Sequence, residues 1–278
     1  MPPCKLPDTD IEIVHDEKER GLIRYAIFDF DGTISTFREG WQRVMHDLMM
    51  ETLLLTPDCE EEGELDQIVR ETIEFTTGKQ TIYQMIALRD MVAERNGQVE
   101  DPFTYKEVFN DRLLATIHHR IEGVRSGKIQ REEMLVPGSV NLLEALRSRG
   151  VVCFLASGTD DAYVKQEAAT LGVDQYFQEI HGARDDYQNF SKRIVIESII
   201  RDNHLNGVEL VGFGDGFVEI EDVAHVGGIA VGVASDEVNR CGVNAWKRNR
   251  LIEAGADIIV PDYRECDVLM QWLFQENQ

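Results

Sequence analysis

Six short apolar runs, each set apart from the next by a stretch with helical spacing, constrain this chain more than any other feature. They are Ile23–Phe30, Val151–Ala156, Tyr176–Ile180, Val208–Phe213, Gly228–Val233 and Asp257–Val260. The runs are continuous rather than alternating, which is the pattern of strands buried on both faces. From the second run on, helices are expected between them at Asp160–Leu171, Ser191–Asp202, Phe217–Val226 and Ala245–Ala254, with Val140–Arg149 leading in. Strand–helix–strand units with right-handed crossovers make a doubly wound parallel sheet, so the fold class is α/β and Rossmann-like.

The interval between the first and second runs differs in character. Trp41, Val44, Met45 and Leu48 recur at helical spacing, as do Leu65, Ile68, Val69 and Ile73, and then Ile82, Met85 and Ile86. The longest stripe joins Tyr105, Val108, Phe109, Leu113, Ile117, Ile121 and Val124. Breaks fall at Thr56-Pro57-Asp58, Gly78, Asn96-Gly97 and Asp101-Pro102. The expected organisation is therefore an α/β domain from 1–34 and 136–278 with an all-helical insertion at 35–135. Residues 1–20 are polar and acidic, a loose arm or an edge element.

Charge narrows the functions open to such a chain. Its 278 residues carry 28 Lys+Arg against 51 Asp+Glu, a formal net charge of −23. That excess repels phosphodiester backbones and anionic lipid, so neither nucleic acid nor a membrane surface is an expected partner. An anionic substrate would need local positive charge from a metal ion or a few lysines. No window approaches the ~18 uninterrupted apolar residues of a membrane span. Cys4, Cys59, Cys153, Cys241 and Cys266 are scattered, with no CxxC pair, which fits reduced thiols and a cytoplasmic location. No heptad or interface stripe indicates an oligomeric state.

In a parallel sheet, ligands bind beyond the carboxyl ends of the strands. The polar residues at those ends are Asp29-Phe-Asp31-Gly32-Thr33, Ser157-Gly158-Thr159, Asn189-Phe-Ser-Lys192 and Gly214-Asp215-Gly-Phe-Val-Glu219. This ordered set resembles the haloacid dehalogenase superfamily, whose motifs are a DxDGT loop, a Ser or Thr after the second core strand, a Lys, and an acidic GD pair. The resemblance covers about residues 22–34 and 135–262, and the inserted helical segment looks like that superfamily's C1-type cap.

The resemblance implies a role for each position, and each role has a physical reason. Asp29 is the expected nucleophile, forming an aspartyl-phosphate that splits one hard step into two. Asp31, two residues on and facing the same way, is the expected general acid and base. Gly32 permits a tight turn, and Thr33 is expected to cap the exit and bond Asp29. Ser157 donates to a phosphoryl oxygen, helped by backbone donors near Gly158 and the following helix start. Taken alone, Ser157 reads equally as a helix N-cap. Lys192 supplies fixed positive charge, with Lys165 as its competitor. Mg²⁺ is the expected cofactor, held by Asp29, Asp215 and the carbonyl of Asp31. Glu219 stands where the family often has Asp; it would hold the metal through water or orient Lys192, with Asp222 as a substitute.

In the insertion, Arg38, Arg89, His118, His119 and Arg125 read as solvated faces, and so does the Trp246–Arg250 patch near the end of the chain. Thr76–Thr81 interrupts the helical pattern and makes Lys79 the candidate for substrate selection. The implied activity is hydrolysis of a small phosphomonoester, a sugar or other organic phosphate. A phosphomutase would keep the same core, and a phosphonatase would need a cap lysine such as Lys79. The alternative outside enzymes is a phospho-ligand-binding scaffold.

Overall fold

The computed structural model describes residues 4–187 and 191–276, so Asn189 and Phe190 of the Lys192 motif lie outside the described residues. The chain divides into two compact units, one of residues 1–39 and 120–278 and the other of Gly40–His119. Segments 35–39 and 120–135, assigned to the insertion from sequence, cluster with the α/β unit.

The α/β unit carries an eight-stranded sheet among the described residues. Its strands are β1 (Cys4–Lys5), β2 (Glu12–Ile13), β3 (Tyr25–Phe28), β4 (Val152–Asp160), β5 (Phe177–Ala183), β6 (Leu210–Gly214), β7 (Ile229–Val233) and β8 (Ile258–Val260). The spatial order is β1-β2-β8-β7-β6-β3-β4-β5. From β8 to β5 all pairings are parallel. The N-terminal arm instead forms two antiparallel edge strands, with β2 pairing β8.

Period-two alternation explains how one sheet serves two cores. Ala26, Phe28, Cys153, Leu155, Val211 and Phe213 belong to one cluster, while Ile27, Phe154, Ala156 and Leu210 belong to the other. The first is covered by α5 (Ser139–Ser148), α6 (Asp161–Leu171) and α10 (Cys266–Phe274) through Leu142, Leu146, Val164, Leu171, Leu269 and Leu273. The second is covered by α7 (Lys192–Asn203), α8 (Phe217–His225) and α9 (Ala245–Glu253) through Val195, Ile199, Ile220, Val223 and Leu251. Burial on both faces is why the strands read as continuous apolar runs.

The helical unit contains α1 (Trp41–Leu53), α2 (Glu62–Thr76), α3 (Thr81–Glu94) and most of α4 (Pro102–Arg125), whose last residues belong to the α/β unit. Met45, Met49, Leu65, Val69, Met85, Leu88 and Leu113 are buried, so the Met and Leu stripes are packing faces. The connectors on the α/β side pair with each other: Thr36 N–H donates to Met134 O at 2.9 Å and Val136 N–H to Ile34 O at 2.9 Å. Among the described residues, no helix is long and apolar enough to cross a membrane.

Candidate active site

Strand β3 lies between β6 and β4, where chain order reverses across the sheet. Such a switch point opens a crevice at the strands' carboxyl ends. Asp29 follows β3 directly, and its N–H donates to Phe213 O at 2.9 Å, continuing the ladder with β6. Asp215 follows β6, and Ser157 stands in β4. Three neighbouring strand ends therefore carry the expected site residues.

Lys192 is the first residue of α7, where the Ser191 hydroxyl caps the helix by accepting from Ile194 N–H at 3.2 Å. Its Nζ lies 2.8 Å from Asp29 Oδ1 and donates to Glu219 Oε2 at 3.0 Å, and all three residues are buried. Burial pushes the Lys192 ammonium down, but the Asp29 and Glu219 carboxylates outweigh it and hold the group protonated. Burial drives the Asp29 carboxyl up, opposed first by Lys192. The competitor Lys165 is elsewhere, in an exposed ion pair with Asp161 at 2.7 Å.

Glu219 uses both carboxylate oxygens, because Oε1 accepts from Gly216 N–H at 2.7 Å, at the start of α8. It orients Lys192 and caps α8 at once. A side chain at Gly214 would collide with Glu219 Cγ, which is why the strand ends in glycine there. Asp222, the substitute, is not in this cluster; burial raises its carboxyl to about 6, opposed by Arg193.

Asp31 occupies a different environment. Thr159 Oγ1 donates to its Oδ2 at 2.8 Å, while Oδ1 is buried with no hydrogen-bond partner among the described residues and has Arg38 Nε at 3.9 Å. Burial raises the Asp31 carboxyl to about 6, with Arg38 and the Thr159 hydrogen bond pulling the other way. Arg38 is 6% exposed, which corrects its reading as a solvated face. It precedes α1 in the connector, and its guanidinium holds buried Glu167 through Nε at 3.1 Å and Nη2 at 2.7 Å.

Three further expectations need adjustment. Thr33 does not bond Asp29: its hydroxyl is buried without a hydrogen-bond partner among the described residues, in the turn where Thr33 N–H donates to Phe30 O. Ser157 is not an N-cap, because β4 runs on through Gly158 to Asp160 and α6 begins at Asp161. Its Oγ accepts from Thr159 N–H at 3.0 Å, which leaves the hydroxyl hydrogen for another acceptor. Lys247, within the patch read as solvated, is 6% exposed and lies 2.7 Å from Asp215 Oδ2. Thr159, Arg38, Glu167 and Lys247 are thus the site neighbours that motif reading missed. Only Thr159, next to the Ser157-Gly158 motif, carried a local signal. Lys79 belongs to the helical unit, between α2 and α3, with Nζ 4.1 Å from the Phe75 ring centre.

The donor set fits a hard divalent cation. Asp29, Asp215 and Glu219 bring carboxylate oxygens within 4.8 Å of one another. Glu219 is fully engaged, whereas Asp29 and Asp215 each give one oxygen to a lysine and have a second that no lysine holds among the described residues. Gly32, at φ +73°, sits so close that a side chain there would collide with Asp215 Oδ2. The turn after Asp31 is thereby pressed against Asp215.

A protein-family model for haloacid dehalogenase-like hydrolases matches residues 23–227, spanning the motifs and the insertion. The chain belongs to that family. No curated protein matches the chain at a significant level. Among solved structures, the hydrolase resembles a predicted phosphoglycolate phosphatase from Haemophilus somnus 129pt at 16% identity and TM-score 0.59, covering 90% of this chain and 99% of that one. It resembles β-phosphoglucomutase from Clostridium difficile at 14% identity and TM-score 0.55, covering 83% and 98%. It also resembles CbbY from Rhodobacter sphaeroides, solved with xylulose-(1,5)bisphosphate, at 15% identity and TM-score 0.56, covering 87% and 96%. At these identities the likeness is one of fold.

Proposed function

We propose that this hydrolase is a Mg²⁺-dependent phosphatase that cleaves a small phosphomonoester through an aspartyl-phosphate on Asp29. The observation that carries the reading is the contrast between two carboxyls two residues apart. Asp29 faces the Lys192 ammonium at 2.8 Å, whereas Asp31 faces the Thr159 hydroxyl at 2.8 Å with Arg38 Nε at 3.9 Å. Two like groups in unlike surroundings suit two roles, nucleophile and acid/base.

In this reading the Asp29 oxygen not held by Lys192 attacks phosphorus, and Lys192 takes up charge on the phosphoryl oxygens with help from the Ser157 hydroxyl. Protonated Asp31 gives its proton to the leaving oxygen, and the resulting carboxylate then takes a proton from the attacking water. Thr159 keeps Asp31 turned toward its task, and Glu219 does the same for Lys192. A Mg²⁺ held by Asp29, Asp215 and the Asp31 carbonyl would offset the acidic cluster's repulsion of a phosphate.

The substrate is a small phosphorylated metabolite, sugar-like or organic, and the helical insertion with Lys79 takes part in choosing it. The acidic charge and free cysteines support a cytoplasmic protein with neither nucleic acid nor membrane as partner. The test is hydrolysis of p-nitrophenyl phosphate and of a panel of small phosphates, with Mg²⁺ and with EDTA, by the parent chain and Asp29→Asn. Mg²⁺-dependent turnover lost in Asp29→Asn is expected. A parent chain that hydrolyses none of them would favour the scaffold reading.

A further inference from the structure

Lys247 is a buried cation to which the phosphatase reading assigns no role. It lies in the first turn of α9, where Asn244 Oδ1 caps the helix by accepting from Trp246 and Lys247 N–H at 3.1 Å each. A cation in that turn faces the positive end of the helix dipole, the end that favours acidic residues. Its Nζ nevertheless reaches Asp215 Oδ2 at 2.7 Å, Glu237 Oε1 at 2.8 Å and Ser235 Oγ at 3.1 Å. Ser235 Oγ in turn donates to Gly32 O at 2.7 Å, tying the same group to the turn after Asp31. A buried ion pair is weak evidence for stability in itself. A side chain that breaks a local rule beside the expected metal ligand suggests instead a task at the site.

We propose that Lys247 is a positioning residue that shares Asp215 with the divalent cation and lowers that cation's affinity by a tethered positive charge. The inference rests on the metal reading given above. Glu237 and Ser235 hold the ammonium in place, so a cation arriving at Asp215 meets a like charge that cannot swing out to solvent. Like charges a few ångströms apart away from bulk water repel strongly. Lys192 differs in its partners: it pairs with Asp29 and Glu219, whereas Lys247 pairs with Asp215.

Mn²⁺ binding to the full-length chain without substrate, read from the EPR signal of free Mn²⁺, tests this independently of turnover. Lys247→Met should bind Mn²⁺ at least about tenfold more tightly than the parent, and Lys247→Arg should return toward the parent value. Glu237→Gln leaves Asp215 as the ammonium's one carboxylate among the partners named and should weaken Mn²⁺ binding. Unchanged or weaker binding in Lys247→Met overturns the proposal. If that variant does not fold, unchanged or tighter binding in Glu237→Gln overturns it. A parent chain that binds no Mn²⁺ removes the metal reading itself, whereas a parent that binds while Lys247→Met matches it removes the role of Lys247 alone.

Discussion

Thr159 donates its hydroxyl to Asp31 Oδ2 across 2.8 Å, joining the end of β4 to the loop after β3. That bond favours the charged form of a carboxyl that burial, even against this bond and Arg38, raises to about 6. Thr159→Val removes it, so the Asp31 pKa should rise further. For an alkyl phosphate, whose leaving group needs the proton of neutral Asp31, kcat should fall as pH rises through about 6 in the parent, and Thr159→Val should move that fall to higher pH. An inflection unmoved in Thr159→Val would detach this threonine from the titration of Asp31.

Asp31→Asn separates proton transfer from attack. Loss of a general acid is worth about 10²–10⁴-fold for a leaving group that needs a proton, and much less for p-nitrophenolate. The phosphoenzyme should also persist, because the attacking water has lost its base. Rapid-quench labelling with a ³²P substrate reads this directly. Equal losses for both substrates, with no label retained, would count against the assignment.

The Lys192–Glu219 pair calls for a double-mutant cycle. Lys192→Met strands two buried carboxylates and should cost about 3–5 kcal/mol of stability, the typical penalty for breaking a buried pair. Adding Glu219→Gln removes one of the stranded charges, so the double variant should recover part of that loss. Urea titrations of the four proteins give the coupling. Additive losses would mean that Glu219 and Lys192 do not act on each other.

Gly32→Ala tests the contact between the turn after Asp31 and Asp215. At φ +73° the alanine is strained, at roughly 1–2 kcal/mol, and its methyl collides with Asp215 Oδ2. We expect a lowered Tm by circular dichroism and a raised Mg²⁺ requirement for p-nitrophenyl phosphate turnover. A variant with the parent's Mg²⁺ requirement would show that Asp215 tolerates displacement.

The chain order of strands and helices was legible because each element carries its own period. Continuous apolar runs bounded by glycine and by capping residues mark strands buried on both faces, and the stripes from Trp41 to Val124 mark helices. Asp29, Asp31, Lys192 and Asp215 were legible because each sits at a strand end or helix start that sequence patterning can locate. The N-terminal arm was legible only as a loose arm or an edge element: β1 and β2 span two residues each, too short for any periodicity, and pairing with β8 makes the second of them a strand at the sheet's edge. Arg38, Glu167 and Lys247 were not legible. A charged side chain in a connector or at a helix start reads as solvated unless a partner arrives from elsewhere in the chain. Glu167 reaches Arg38 from α6, 129 residues away, and Asp215 meets Lys247 from the end of β6. Local sequence determined which segments fold and which strand ends carry the acidic and basic motifs. Tertiary structure alone decided which of those charges are buried together, because burial and pairing depend on contacts that no local pattern encodes.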